Sequence, residues 1–247
     1  MKDIFENGKI LILACDQGFE HGPVDFNELN IDPQYIFDIA LEGKYTAVAV
    51  QAGIAKKFYH GENTKVPLIV KLNGKTSWDS KDPVSLQHTS VEYASRLGAS
   101  AVGYTIYLGS SKEQQMFVEF GKIVEEAHRF GMKAVCWMYP RGPPIKNDLD
   151  TKVLAYGARV AFELGADVIK LKYNNNIKQM NWVIKCAGGV PVVFAGGDKT
   201  DEAKFVEFAK KTIKSGGFGL AVGRNVWQSN NPIRLSKELR KVLFEDK

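Results

Sequence analysis

The sequence predicts an α/β chain closed as a single (β/α)8 barrel over residues 1–247. Three observations predict it. Eight short apolar, β-type runs recur on average about thirty residues apart. Amphipathic helical stretches fill the gaps between them. Glycine recurs where each helix must stop, just before the next run. A doubly wound sheet is the alternative, but it usually has fewer strands and a Gly-x-Gly-x-x-Gly after the first, which is absent here.

The expected strands are Ile10–Asp16, Thr46–Gln51, Leu68–Asn73, Ala101–Tyr107, Lys133–Tyr139, Asp167–Tyr173, Pro191–Gly197 and Gly219–Asn225. Between them, Met116, Phe117, Phe120, Ile123, Val124 and Ala127 make one helical stripe. Val153, Leu154, Gly157, Val160, Ala161 and Leu164 make another with the same spacing. Ser111 with Gln114 resembles a capping box for the first, and Asp150 is a cap for the second. Pro33, Pro83 and Pro232 stand at or near expected helix starts, where proline is tolerated. Gly98, Gly131, Gly165 and Gly216–Gly217 each precede a strand. No linker or compositional break divides the chain.

With 45% hydrophobic and 25% charged residues, the chain can bury a sizeable core. Its net charge of +5 comes with no basic run, which argues against nucleic acid as a partner and suits an anionic small molecule. Cys15, Cys136 and Cys186 match no disulfide or metal pattern, so a reducing, cytoplasmic setting is expected. Cys15 and Cys136 fall out of phase with the polar residues of their strands and should face the helices. The four histidines are scattered, which argues against zinc chemistry. No serine sits at a nucleophile elbow. No stretch approaches membrane-span length, so no membrane partner is expected.

The chemistry centres on Asp167–Tyr173, the sixth expected strand. Lys170 and Lys172 point to one face of it, roughly 7 Å apart. Two ammonium groups leaving an apolar strand together are costly to desolvate. One can lose its proton and become an imine-forming nucleophile; alternatively, both reach the sheet end and pair with acids. Asp16 and Tyr139, at neighbouring strand ends, are suited to the proton transfers an imine requires. Each also has a structural reading, Asp16 as a turn former and Tyr139 as a rim aromatic. Trp137 shares a face with Tyr139, while Lys71 and Asn73 share a phase on the third strand. Arg141, just past the fifth strand, could hold a phosphate bidentately or make a surface pair. In barrels of this kind the loops after strands 7 and 8 often bind phosphate. Here they carry Ala195-Gly196-Gly197-Asp198-Lys199 and Val222-Gly223-Arg224-Asn225. Glycine lets backbone N–H groups approach an anion, and Lys199 and Arg224 could supply full charges.

Taken together, residues Asp16–Pro23, Lys71–Thr76, Tyr139–Gly142, Lys170–Tyr173 and Ala221–Asn225 resemble the archaeal-type class I fructose-1,6-bisphosphate aldolases, over about Ile10 to Gln228. The resemblance implies a TIM barrel that uses no cofactor or metal, with a covalent imine on Lys170 during turnover. It also implies a homo-oligomer, usually a decamer of two pentamers. Tyr139 would exchange the proton, Asp16 would assist imine formation and Trp137 would position substrate. Gln17, His21, Asp25, Arg141 and Lys172 would line the sugar-phosphate site. Ala195, Gly196, Gly197, Gly223 and Arg224 would hold the other phosphate.

The chain departs from the pattern at three places. Ala195 stands where relatives often carry serine, Asp198 where the similar motif has proline, and Asn174-Asn175-Asn176 where Thr-Gly-Asp is common. The alternatives are a related lysine enzyme making a precursor of aromatic amino acids or processing a phosphorylated signal, an isomerase or decarboxylase without an imine, and a non-catalytic sugar-phosphate binder.

Overall fold

The computed structural model describes residues 2–16, 18–78 and 81–245. Eight parallel strands close into one barrel, each paired with its neighbours in chain order. In sequence the elements run β1 (Ile10–Cys15), α1 (Gly18–His21), α2 (Pro33–Glu42), β2 (Ala47–Gln51), α3 (Ala52–Phe58), β3 (Leu68–Lys71) and α4 (Val91–Arg96). There follow β4 (Ala101–Leu108), α5 (Glu113–Arg129), β5 (Lys133–Pro140), α6 (Thr151–Glu163), β6 (Val168–Leu171) and α7 (Ile177–Cys186). The last are β7 (Val192–Ala195), α8 (Glu202–Lys214), β8 (Gly219–Val222), α9 (Arg224–Trp227) and α10 (Pro232–Arg240). Closure comes from β1, which pairs on one side with β2 (Ala14 with Ala49) and on the other with β8 (Ile12 with Ala221).

Two apolar cores result, as alternation along a strand requires. The larger lies between strands and helices and contains Leu11, Leu13, Cys15, Tyr104, Cys136, Ile169 and Phe194. Both thiols therefore face the helices, where burial pushes Cys15 up to about 12. The smaller core fills the barrel with Ile10, Ile12, Ala47, Ala49, Ile69, Val135, Trp137, Val168 and Val193. Trp137 fits because β4 carries a glycine, Gly103, where the indole ring lies. A Cβ on Gly103 would stand 2.4 Å from the indole. At the base, Ile4 joins the inner core and Phe5 packs beneath it, with Lys133 Nζ 5.4 Å from the Phe5 ring centroid.

Helix ends follow local chemistry. Asp150 accepts from the N–H groups of Lys152 (2.8 Å) and Val153 (3.3 Å), so it caps α6 as expected. Gly98, Gly131, Gly165 and Gly216 all have positive φ and end their helices before the next strand. Pro33 and Pro232 open α2 and α10. Pro83 instead lies in the long β3–α4 loop. Ser111 does not cap α5 either: its hydroxyl and N–H both donate to Asp82, and α5 starts at Glu113 without a side-chain cap. Among the described residues, no helix is long and apolar enough to cross a membrane.

Candidate active site

The C-terminal ends of the strands open into a cavity of about 550 Å3. Asp16, Glu20, Thr105, Tyr139 and Lys170 line it toward the barrel; Arg141, Lys172, Ala195, Gly196, Gly197, Gly223 and Arg224 line it toward the rim. A second cavity of about 530 Å3 lies behind the β1 loop, where Asp16 is the only Asp, Glu, Lys or Arg among the described lining residues. The polar chemistry gathers in the first.

Lys170 sits at the third position of β6, inward, in register with Trp137 on β5 and Val193 on β7. It is 5% exposed, and its Nζ lies 5.1 Å from the centroid of the Trp137 ring. Burial lowers its pKa from the ordinary lysine value, while the carboxylates of Asp16 and Glu20 pull it partly back. The net lowering makes the neutral, nucleophilic amine easier to reach than for an exposed lysine. Lys172 takes the other course open to such a pair. It reaches the rim from the same face and forms an ion pair with Asp148 of the β5–α6 loop.

A second buried lysine joins the floor. Lys71 ends β3, is 1% exposed, and places Nζ 5.5 Å from the Trp137 ring centroid and 3.9 Å from Asp16 Oδ2. Burial lowers its pKa too, Asp16 and Glu20 oppose this, and Lys170 adds like-charge repulsion. Its ammonium also donates to Asn73 O (3.3 Å). Asn73 Nδ2 in turn donates to Ser85 O and Thr105 O, holding the residues after β3 against β4.

Tyr139 lines the cavity from β5, and the Arg141 guanidinium lies 5.4 Å from its ring centroid. Loss of solvent and the Asp16 and Glu20 carboxylates push the phenol pKa well up, against a smaller pull from Arg141, so the hydroxyl keeps its proton. Glu20, on α1, accepts from Tyr107 Oη at 3.1 Å. Trp137 is 1% exposed and is not among the described residues lining the cavity; its ring lies 5.1 Å from Lys170 Nζ and 5.5 Å from Lys71 Nζ. Thr105 Oγ1 is buried in the cavity wall without a protein partner, which leaves it available to a bound polar group.

The rim is built by the loops after β7 and β8. Asn225, 4% exposed, fastens one to the other. Its Nδ2 donates to Gly196 O and Asp198 O, both at 3.0 Å, and its Oδ1 accepts from Thr200 N–H at 2.9 Å. The Arg224 guanidinium lies 2.8 Å from Asp198 and 4.0 Å from Asp25. Asp25 is bonded to His21 Nδ1 at 2.7 Å, and His21 lines the cavity. Lys199 is not at this rim: its ammonium donates to Gln228 O, and Lys204, in the first turn of α8, lines the cavity instead.

The structure thus brings Asp16, His21, Tyr139, Arg141, Lys170, Lys172, Ala195, Gly196, Gly197, Gly223 and Arg224 to one cavity, with Asp25 just behind. Gln17 lies outside the described residues. Sequence reasoning gave no site role to Lys71 and Glu20, though both lie in the motifs that carry the resemblance, and passed over Lys204. A lysine ending an otherwise apolar strand in the inward phase was a signal for the first. Among the described residues, no group of three or more His, Cys, Asp or Glu side chains is placed to hold a metal ion.

Comparison with known proteins gives a consistent picture. The model of the DeoC/LacD family aldolases matches residues 10–229. The chain is 45% identical over 243 residues to the class 1 fructose-bisphosphate aldolase of Thermoproteus tenax, covering 97% of this chain and 91% of that one. It is 35% identical over 258 residues to the fructose-bisphosphate aldolase/6-deoxy-5-ketofructose 1-phosphate synthase of Methanocaldococcus jannaschii, covering 97% and 83%. It superposes with a TM-score of 0.93 and 45% identity on an archaeal fructose-1,6-bisphosphate aldolase whose catalytic lysine is covalently bound to the carbinolamine intermediate, covering 97% and 96% of the two chains.

Proposed function

This chain belongs to the DeoC/LacD family of aldolases, and on that premise we propose that it is a class I fructose-1,6-bisphosphate aldolase. It cleaves the bisphosphate reversibly to dihydroxyacetone phosphate and glyceraldehyde 3-phosphate through an imine on a lysine. One observation carries the reading: a lysine buried on an apolar barrel floor, with carboxylates and a phenol beside it.

The neutral amine of Lys170 attacks the ketone carbon, and the carbonyl oxygen takes a proton to give the carbinolamine. Protonation of that hydroxyl, with Asp16 assisting, expels water and leaves the iminium. The C3–C4 bond then breaks. Its electron pair moves into the iminium to give an enamine, and the C4 hydroxyl loses its proton as the aldehyde forms; the enamine carbon then takes up a proton, and water hydrolyses the resulting iminium to release dihydroxyacetone phosphate and the free amine of Lys170. In the reverse direction the enamine carbon attacks the aldehyde, and the Tyr139 phenol donates its proton to the nascent alkoxide. The carboxylate field that holds this phenol protonated is offset once an iminium charge sits on Lys170, so formation of the imine itself favours proton exchange at Tyr139. Arg141 and Lys172 take one end of the substrate, while Asp25, bonded to His21, stands 4.0 Å from Arg224 at the other. The glycine loops with Arg224 take the phosphate there, fixing the position of the scissile bond with remote binding energy. Trp137 supports the reaction from beneath, by setting the rotamers of Lys170 and Lys71.

Residues 1–247 act as one domain in this reading, working in glycolytic or gluconeogenic flux in the cytoplasm, as a homo-oligomer built as a decamer. A second reading has a specific basis, since the Methanocaldococcus jannaschii relative is named for two activities. A related lysine enzyme on another sugar phosphate would use the same Lys170. Relative rates on the two substrates separate them.

The test is borohydride reduction in the presence of dihydroxyacetone phosphate, followed by peptide mass analysis. A permanent adduct on Lys170 supports the reading. An adduct on Lys172 or Lys71 would keep the chemistry and move the nucleophile, whereas ligand binding with no adduct would remove the imine altogether.

A further inference from the structure

Arg224 is the only rim cation in the described structure with two carboxylates facing its guanidinium, and the two differ in kind. Asp25 is fixed. Its carboxylate, 17% exposed, is bonded to His21, and its carbonyl accepts from Gln228 Nε2 at 2.7 Å. Asp198 is held only by its backbone, through the bond from Asn225 Nδ2 to its carbonyl. Its side chain is 93% exposed and its carboxylate contacts Arg224 at 2.8 Å. It can rotate into water without moving the loop, and an exposed ion pair of this sort is weak.

We propose that Asp198 is a specificity-determining residue of the rim: its carboxylate occupies Arg224 in the empty site, and a substrate phosphate must displace it. The proposal rests on the reading of Arg224 as a phosphate ligand. Phosphate and carboxylate are both oxyanions that guanidinium N–H groups bind, so a phosphate competes with Asp198 for the Nη2 donors that Asp198 holds. The displaced carboxylate stays within a few ångströms of a dianion and repels it. The chain therefore binds phosphate at this end more weakly than its glycine loops and two nearby cations, Arg224 and Lys204, would allow. It also discriminates less between ligands with and without a phosphate there.

The test compares the full-length protein with Asp198→Asn, which keeps an oxygen acceptor and removes the charge. KM and kcat are measured for fructose 1,6-bisphosphate, fructose 1-phosphate and fructose 6-phosphate. The variant should lower KM for the bisphosphate about three- to tenfold, with kcat little changed. The gain should be repeated for one monophosphate only, the one whose phosphate reaches Arg224. An unchanged or raised KM overturns the proposal, and so does an equal gain for both monophosphates. Glu207→Gln removes an exposed carboxylate from α8 and controls for net charge; the same gain there would also overturn it. Calorimetric titration with inorganic phosphate needs no turnover and should show tighter binding in Asp198→Asn. If the wild type cleaves none of the three sugars, that titration still decides the competition, separately from the aldolase reading.

Discussion

Lys71 and Lys170 converge on one indole, with ammonium nitrogens 5.5 and 5.1 Å from the centroid of Trp137. Neither is more than 5% exposed. Cation–π attraction repays part of the desolvation of each, but one ring cannot stabilise two full charges as water would. The nearest ion pair on this floor is between Lys71 and Asp16, at 3.9 Å. The arrangement gives Lys71 a carboxylate within ion-pair distance, while burial holds both lysines below the ordinary lysine value.

Lys170→Met should reduce turnover by at least about a thousandfold, since the covalent route is lost. It should also stabilise the fold at pH 7. A lysine whose folded pKa is lowered binds fewer protons folded than unfolded, so its penalty is full below the lowered pKa and gone above 10.5. Thermal denaturation should show a gain of about 1–3 kcal/mol at neutral pH, shrinking toward pH 10.5.

Lys71→Met should move the acidic limb of the pH–kcat/KM profile to higher pH. Removing Lys71 withdraws a neighbouring positive charge from Lys170 and frees Asp16 to attract it. The repulsion between the two lysines is mutual, so where Lys71 carries its charge both effects make Lys170 easier to protonate. A limb that stays in place would show that the two lysines titrate independently.

Gly103→Ala places a methyl group 2.4 Å from the ring of the buried Trp137, which must shift to admit it. Overpacking of this sort costs about 1–3 kcal/mol. Melting temperature and turnover should fall together, because the displaced ring carries the rotamers of both lysines.

Asn225→Ala removes three hydrogen bonds that tie the β7 and β8 loops together. We expect KM for fructose 1,6-bisphosphate to rise about tenfold with a smaller change in kcat, and stability to fall by about 1–3 kcal/mol. An unchanged KM would show that the loops hold their shape without the tether.

The barrel was legible because its signals are periodic. Alternation placed Cys15 and Cys136 toward the helices and Lys170 toward the lumen, and glycines with positive φ ended the helices where expected. Strand lengths were not. The sixth strand, expected from Asp167 to Tyr173, pairs only over Val168–Leu171, because polar residues past a strand end look extended whether or not they join a ladder. Ser111 was misread as a cap since Asp82, its partner, is remote in sequence. Lys204 was passed over for a similar reason: a cation in the first turn of a helix carries no mark of which loop it faces. Lys71 was visible only as sharing a phase with Asn73, because its neighbour Trp137 is brought beside it only by closure of the barrel.

The Ile4–Phe5 segment under the barrel has a bearing on the order of events in turnover. A vessel stoppered at its base empties only through its mouth, so what enters deepest leaves last. The aldehyde fragment, held toward the rim, must depart before the ketose fragment tethered to Lys170 can be hydrolysed and follow it. In the synthetic direction the queue reverses, with dihydroxyacetone phosphate obliged to board first. Product inhibition patterns should therefore be those of an ordered rather than a random sequence, because the ketose fragment stays bonded to Lys170 and the filled barrel leaves both fragments one way out.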